Sequence, residues 1–251
     1  MPYACCMTSA ILDEQLSLIT EEPGGCPPGE FAAANALYNR GEFEAAIAAF
    51  TAIITADPGA QAARVNRGSA LARLGLLDEA LDDFASALQL DPSWAGLRYN
   101  LGLLRILQGE PLAARVEFDA AIAIRPNDAS LLNGRGGALV ELGLIEEALH
   151  DFDESIRLRP EWANGYYNRA KALRRLERNR DAMRSVEQAL KLVPDLPHAQ
   201  ELRHEILVVL IAELSKQGLV TWNGSKPLFD HTPVKPTPGP PLSDWIIENR
   251  R

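Results

Sequence analysis

The chain has 251 residues, 47% hydrophobic and 24% charged, and its net charge of −9 repels phosphate backbones, which argues against general nucleic-acid binding. The longest wholly apolar run, Ile206 to Ala212, has seven residues against the roughly 20 that cross a bilayer, so no membrane span is expected. The first basic residue is Arg40, whereas export leaders carry positive charge near their start. A soluble, cytoplasmic protein is therefore expected.

Residues 1–26 read as a separate N-terminal segment. Ser9 to Ile19 suits one short amphipathic helix, with Ile11, Leu12, Leu16 and Ile19 on one side. Cys5, Cys6 and Cys26 are the only cysteines and all lie here, so no disulfide framework holds the remainder. His150, His198, His204 and His231 stand far from them without ligand spacing, and no metal site is expected.

From residue 27 the chain is periodic. Pro58, Pro92, Pro126, Pro160 and Pro194 recur every 34 residues, the mark of a stacked helical repeat. Twenty-four residues before each stand Ala34, Gly68, Gly102, Gly136 and Ala170, and twelve before stand Ala46, Ala80, Ala114, Ala148 and Ala182. Small residues at both places let two antiparallel helices cross closely. Between them Gly41, Gly75, Gly109 and Gly143 suit a left-handed turn, but Glu177 takes that place in the last unit. Phe50, Phe84, Phe118, Phe152 and Val186 fall one helical turn after the alanines and read as core. Each proline closes a second helix, since it lacks an amide hydrogen and disfavours helical geometry just before it. Pro111 and Arg115 depart from the pattern, although proline is tolerated in a first helical turn. The fifth unit, without its glycines and phenylalanine, departs most.

The small–Gly–Ala–Phe–Pro pattern, with stretches such as Asn66-Arg67-Gly68-Ser69-Ala70-Leu71 and Glu147-Ala148-Leu149-His150-Asp151-Phe152, resembles the tetratricopeptide repeat. The resemblance implies an all-α, right-handed helical-hairpin solenoid of five units: 27–60, 61–94, 95–128, 129–162 and 163–196. It also implies that the first helices line an inner surface that holds a peptide or protein segment. By register that surface would present Asn35, Tyr38, Asn39, Val65, Ser69 and Arg73 from the first two units, and Tyr99, Leu103, Ile106, Asn133 and Glu141 from the next two. Tyr167, Lys171, Arg174 and Arg175 would follow from the fifth. Asparagines bond a peptide backbone, and tyrosines supply contact area. The lysine–asparagine–asparagine–lysine–arginine set with which some members hold a chaperone's carboxylate corresponds to Phe31, Asn35, Asn66, Gly96 and Asn100. Its cations are missing, so that activity is not expected.

Arg169, Lys171, Arg174, Arg175, Arg178, Arg180 and Arg184 face only Glu177 and Asp181 within the same stretch. Such a concentration attracts an acidic segment or a phosphate, or is a solvated face. Residues 197–217 read as a capping helix with a stripe of Leu202, Ile206, Val209, Leu210 and Leu214. Its apolar centre needs a cover, either the chain's own tail or a second copy docked on 202–214.

After Gly218 the chain becomes proline-rich and reads as an extended tail. Trp222 precedes the prolines, and Leu242, Trp245 and Ile246 follow them in a short terminal helix that Ser243 caps. The order from Gly218-Leu219-Val220-Thr221-Trp222 to Trp245-Ile246-Ile247-Glu248-Asn249-Arg250-Arg251 is similar to the C-terminal end of bacterial prevent-host-death antitoxins. That resemblance implies a tail that wraps a toxin nuclease, anchored by Trp222, Trp245 and Ile246 with Arg250 and Arg251 on carboxylates. The DNA-binding half of such antitoxins has no counterpart here.

No catalytic constellation is legible. His204-Glu205 begins a zinc-protease motif whose second histidine would fall at Val208. Asp151 and Asp153 diverge on a helix, and Gly134-Arg135-Gly136-Gly137 follows no strand. The sequence thus predicts a non-enzymatic, cofactor-free scaffold that binds a protein or peptide, with a tail-centred nuclease inhibitor as the alternative.

Overall fold

The computed structural model describes residues 29–196 and 198–217. The N-terminal segment with its cysteines and the proline-rich tail, including Trp222, Leu242, Trp245, Ile246, Arg250 and Arg251, lie outside the described residues. Among the described residues there are eleven α-helices and no strand: α1 Glu30–Asn39, α2 Phe43–Ala56, α3 Gln61–Arg73, α4 Leu77–Leu90, α5 Ala95–Leu107, α6 Pro111–Ile124, α7 Ala129–Glu141, α8 Ile145–Leu158, α9 Ala163–Arg175, α10 Asn179–Leu192 and α11 Ala199–Lys216. They fall into two compact units, one ending at Leu144 and the other beginning at Ile145.

In the first unit α1–α7 pack in sequence, each helix on the next. The period has a steric origin. Phe50, Phe84 and Phe118 are fully buried, as are Ala46, Ala80 and Ala114. A Cβ added at Gly68 would stand 2.6 Å from Phe84 Cε1, and one at Gly102 would stand 2.7 Å from Phe118 Cε1. In these two repeats the ring of the second helix therefore occupies the space that a first-helix side chain would need. Truncating one of these rings to alanine would cost about 3–5 kcal/mol.

The ends of the helices follow the same logic. Gly75 turns at φ 79°, and the Leu76 amide donates to the Leu71 carbonyl at 3.0 Å, closing α3 with the reversal that a left-handed residue permits. The residues before the prolines are extended: Asp57 at φ −131° and Asp91 at φ −134°, as the proline ring demands. Pro111 begins α6, where its missing amide hydrogen is not needed.

In the second unit α8, α9, α10 and α11 again pack consecutively. The irregular fifth repeat keeps its hairpin. Glu177 adopts φ 57°, and Arg178 N–H donates to Leu173 O at 3.0 Å, so a non-glycine residue makes the same turn. Val186 and Ala182 are fully buried, with Met183 at 1% exposure, so the position that phenylalanine holds elsewhere is still a core position.

The last helix departs from the sequence expectation. Leu202, Ile206, Leu210 and Leu214 are buried, but Val209 is 37% exposed and leaves the stripe. Among the described residues no second helix follows α11, and the landmarks of the earlier repeats change one period further along. The small residue at Ala170 becomes His204, and the turn position at Glu177 becomes Ile211, inside α11. The small residue and the reversal of the earlier repeats are thus absent from α11, which runs on as a continuous helix of 18 residues.

Candidate ligand-binding surface

The first helices of successive repeats touch through polar side chains. Asn66 Nδ2 donates to Asn35 Oδ1 at 2.7 Å between α3 and α1, and both residues are buried. Tyr38 packs edge-on against Phe43, with ring centroids 5.3 Å apart, and the Arg73 guanidinium lies 4.8 Å above the same ring. This aromatic platform holds Arg73 half-exposed at the end of α3.

Seven of the expected surface residues are buried: Asn35 and Tyr38, and with them Val65, Leu103, Ser69, Tyr99 and Asn133. Val65 is 1% exposed and packs in a cluster with Leu97 and Leu101. Leu103 packs with Tyr99, Phe118 and Leu131. Ser69 is fully buried, its hydroxyl donating to the Val65 carbonyl at 3.1 Å, so its polarity is spent within its own helix. Tyr99 is also buried, its ring 5.8 Å from that of Phe118. Burial, and secondarily the charge of Asp128, push its phenol well above the ordinary tyrosine range. Asn133 is 3% exposed. Asn39 and Glu141 are exposed, and Arg73 and Ile106 are half-exposed, so these four reach solvent on the first helices of this unit.

In the second unit Tyr167 and Lys171 are half-exposed, and Arg174 and Arg175 are exposed. Lys171 Nζ sits 5.6 Å from the centre of the Tyr167 ring. The basic cluster read from the sequence divides among several faces. Arg169 reaches Asp153 at 2.5 Å and Ser185 at 2.7 Å. Arg178 and Arg184 both pair with Asp181, at 3.0 and 3.1 Å. Arg174 pairs with Glu205 of α11 at 3.0 Å. Lys171, Arg174 and Arg175 remain together on α9.

The sequence reading missed the part of α11 beside them. Glu205 reaches Arg174 there, and Val208 and Val209 stand one repeat period after Arg174 and Arg175. A separate open groove of about 550 Å³ lies between α4 and α5, with Leu81, Leu88 and Leu101 among its lining residues. Two arginines along it are paired, Arg98 with Glu117 at 3.1 Å and Arg105 with Glu110 at 2.7 Å. Among the described residues no group of three or more histidine, cysteine, aspartate or glutamate side chains converges on a metal-sized site. No described helix is long and apolar enough to cross a membrane.

Antiparallel helix pairs that recur at a constant interval define a helical-repeat protein. A tetratricopeptide repeat family model matches residues 31–93 and again 99–163, and a second matches 163–196. The chain belongs to the tetratricopeptide repeat family. Among solved structures, YrrB, described as a TPR protein with an unusual peptide-binding site, is 24% identical, with 79% of this chain and 97% of that one covered at a TM-score of 0.54. A thermophilic TPR protein of Thermus thermophilus is 18% identical, with 72% and 98% covered at a TM-score of 0.62. MamA of Desulfovibrio magneticus RS-1 is 19% identical, with 67% and 95% covered at a TM-score of 0.59. At these identities the likeness is one of fold. No curated protein matches the chain. The family match ends at residue 196, and none of these comparisons supports the antitoxin-like resemblance of the C-terminal tail.

Proposed function

We propose that this protein is a non-catalytic scaffold of the cytoplasm that holds a segment of a partner protein along its first helices. The observation that carries the reading is that polar contacts between consecutive first helices, Asn35–Asn66 in one unit and Arg174–Glu205 in the other, fix those helices side by side. Exposed or half-exposed groups then stand beside the contacts at a set spacing: Asn39, Arg73 and Ile106 in the first unit, Tyr167, Lys171 and Arg175 in the second. Membership of the tetratricopeptide repeat family supports the same reading. A preorganised surface of this kind binds an extended segment without ordering itself first.

Affinity capture with the full-length chain, followed by identification of what is retained, tests it. Replacing Arg73 with glutamate and Ile106 with aspartate, both partly exposed, should release the principal partner while the circular dichroism melt stays in place. Retention of every partner by that variant would count against the scaffold reading. Deleting residues 219–251 separates this reading from the tail-centred inhibitor: a scaffold keeps its main partner, whereas an antitoxin-like protein loses a small nuclease.

A further inference from the structure

One place in the repeat carries an arginine that ties consecutive second helices. Arg67 of α3 bridges Thr51 of α2 and Asp83 of α4, and Arg169 of α9 bridges Asp153 of α8 and Ser185 of α10. In the third repeat the same place is Leu101, with Ala85 of α4 before it and Glu117 of α6 after it at the same separations. Neither the guanidinium nor its first partner exists there. Glu117 turns instead to Arg98 at 3.1 Å. The space that an arginine spans elsewhere is left as the open groove of about 550 Å³ beside α4, lined by Leu81, Ala85, Leu88 and Leu101 together with Asp78 and Asp82.

The charge of this groove is one-sided. Glu117 neutralises Arg98, and Glu110 neutralises Arg105. α4 carries Asp78, Glu79, Asp82 and Asp83 and no basic residue. Asp83 binds Arg67, and the charge of Glu79 acts on the same guanidinium. Asp78 accepts from a neutral amide, that of Gln108, at 2.9 Å, and Asp82 is exposed. Among the described residues neither of these two carboxylates is in an ion pair.

The next second helix changes character. One period after Asp78 and Asp82 stand Leu112 and Val116 of α6, 64% and 60% exposed. At the corresponding places α8 has Glu146 and His150, and α10 has Arg180 and Arg184. Two large aliphatic side chains thus stand in water where the later repeats place ionisable groups.

From this we infer that the groove beside α4 receives a segment of a partner protein that carries basic and large aliphatic side chains together. The cations lie on Asp78 and Asp82, an aliphatic side chain enters over Leu81, Leu88 and Leu101, and Leu112 and Val116 continue the apolar contact. Charge complementarity selects this occupant. An uncharged apolar segment would cover the two carboxylates without giving them a partner, and an acidic one would be repelled. The site belongs to the second helices, apart from the first-helix surface of the scaffold reading, and gives the protein a further place for a partner.

Fluorescence anisotropy of the full-length chain tests this with three fluorescein-labelled dodecapeptides, alternating lysine with leucine, glutamate with leucine, and lysine with serine. The lysine–leucine peptide should bind and weaken as salt is raised. The glutamate–leucine peptide should not bind, and lysine–serine should bind several-fold more weakly. Asp78→Lys with Asp82→Lys should cost about tenfold in affinity. Glu161→Lys with Asp195→Lys, an equal change of net charge at exposed places in the other unit, should leave binding as it was. Ala85→Phe, at an exposed place on α4, fills the groove without altering charge and should abolish binding while the circular dichroism melt is kept. Leu112→Ser with Val116→Ser should weaken it. Equal binding of the glutamate peptide, equal losses from the two charge reversals, or indifference to Ala85→Phe overturns the inference. So does a dimer that Ala85→Phe dissolves while no peptide binds, since the groove would then meet a second copy. Binding that appears only once residues 219–251 are deleted also overturns it, because the chain's own tail would then be the occupant. If partner capture still responds to Arg73 and Ile106 when these results are negative, the scaffold reading stands and only the groove assignment falls.

Discussion

Asn66 on α3 donates its side-chain amide to the side-chain carbonyl of Asn35 on α1 at 2.7 Å, and the bond is closed from solvent at 0% and 8% exposure. One period later the same positions are Ser69 and Asn100, and the bond is gone. Ser69 donates to the Val65 carbonyl, and Asn100 Oδ1 is buried without a donor among the described residues. The first two repeats are therefore tied by a polar bond, whereas the second and third rely on the apolar cluster of Val65, Leu97 and Leu101.

Asn66→Ala should cost about 1–3 kcal/mol, the penalty for leaving a buried amide acceptor without its donor. Asn100→Ala at the matching position removes an acceptor that has no donor and should cost distinctly less. Urea titration of both variants compares them. Equal losses would mean that the Asn35–Asn66 bond has no special part in joining the repeats.

The glycines of the first helices separate by what surrounds them. At Gly68 an added methyl would meet Phe84 ring atoms at 2.6 and 2.8 Å and the Ala80 carbonyl at 3.2 Å, so Gly68→Ala should destabilise by about 1–3 kcal/mol through forced displacement of the ring. Gly137, inside α7, has nothing within 4 Å of a Cβ. Gly137→Ala should therefore stabilise by roughly 0.5–1 kcal/mol, because glycine surrenders more backbone entropy on entering a helix. Thermal melts of the pair should move in opposite directions.

Glu177 makes the fifth hairpin turn at φ 57°, where a side chain is disfavoured by about 1–2 kcal/mol. Glu177→Gly removes that strain but loosens the unfolded chain, and a net gain of up to about 1 kcal/mol is expected. Calorimetry should place the transition a few degrees higher. A lower transition would show that the turn depends on a contact of the glutamate side chain.

The fold was legible because hairpin packing constrains single positions sterically: Phe84 excludes any side chain at Gly68, and Pro92 excludes a helical Asp91. Such constraints repeat identically and need no knowledge of neighbours. The ligand surface was less legible because its positions are set by what lies on the next helix. Val65 and Leu103 satisfy the inner register yet close into inter-repeat clusters. Counting charge along the chain placed Arg178 and Arg184 in one patch with Arg175, whereas folding returns both to Asp181. The contact of α11 with α9 was hidden by its apolar run, although the period that marks the five repeats continues into it and places His204, Ile211 and Val209.

A second polar tie involves Arg67, which lies between two outer helices. Its guanidinium donates to both carboxylate oxygens of Asp83 on α4, at 2.8 and 2.6 Å, and to Thr51 Oγ1 of α2 at 3.2 Å. Thr51 precedes it and Asp83 follows it by the same distance along the chain. Arg169 repeats the arrangement with Asp153 and Ser185, so an arginine at this place ties its own second helix to the preceding one. In the third repeat the place belongs to Leu101, which lines the open groove beside α4. Asp83 is 4% exposed, and Asp83→Ala would leave the arginine without its bidentate partner in a largely closed site. A loss of about 2–4 kcal/mol is expected, near the lower end for a broken buried pair because the Arg67 side chain keeps 22% of its exposure. Adding Arg67→Leu, which copies the third repeat, should recover part of that loss by removing the unpaired charge. A double-mutant cycle in urea measures the coupling; simple additivity of the two substitutions would deny the tie.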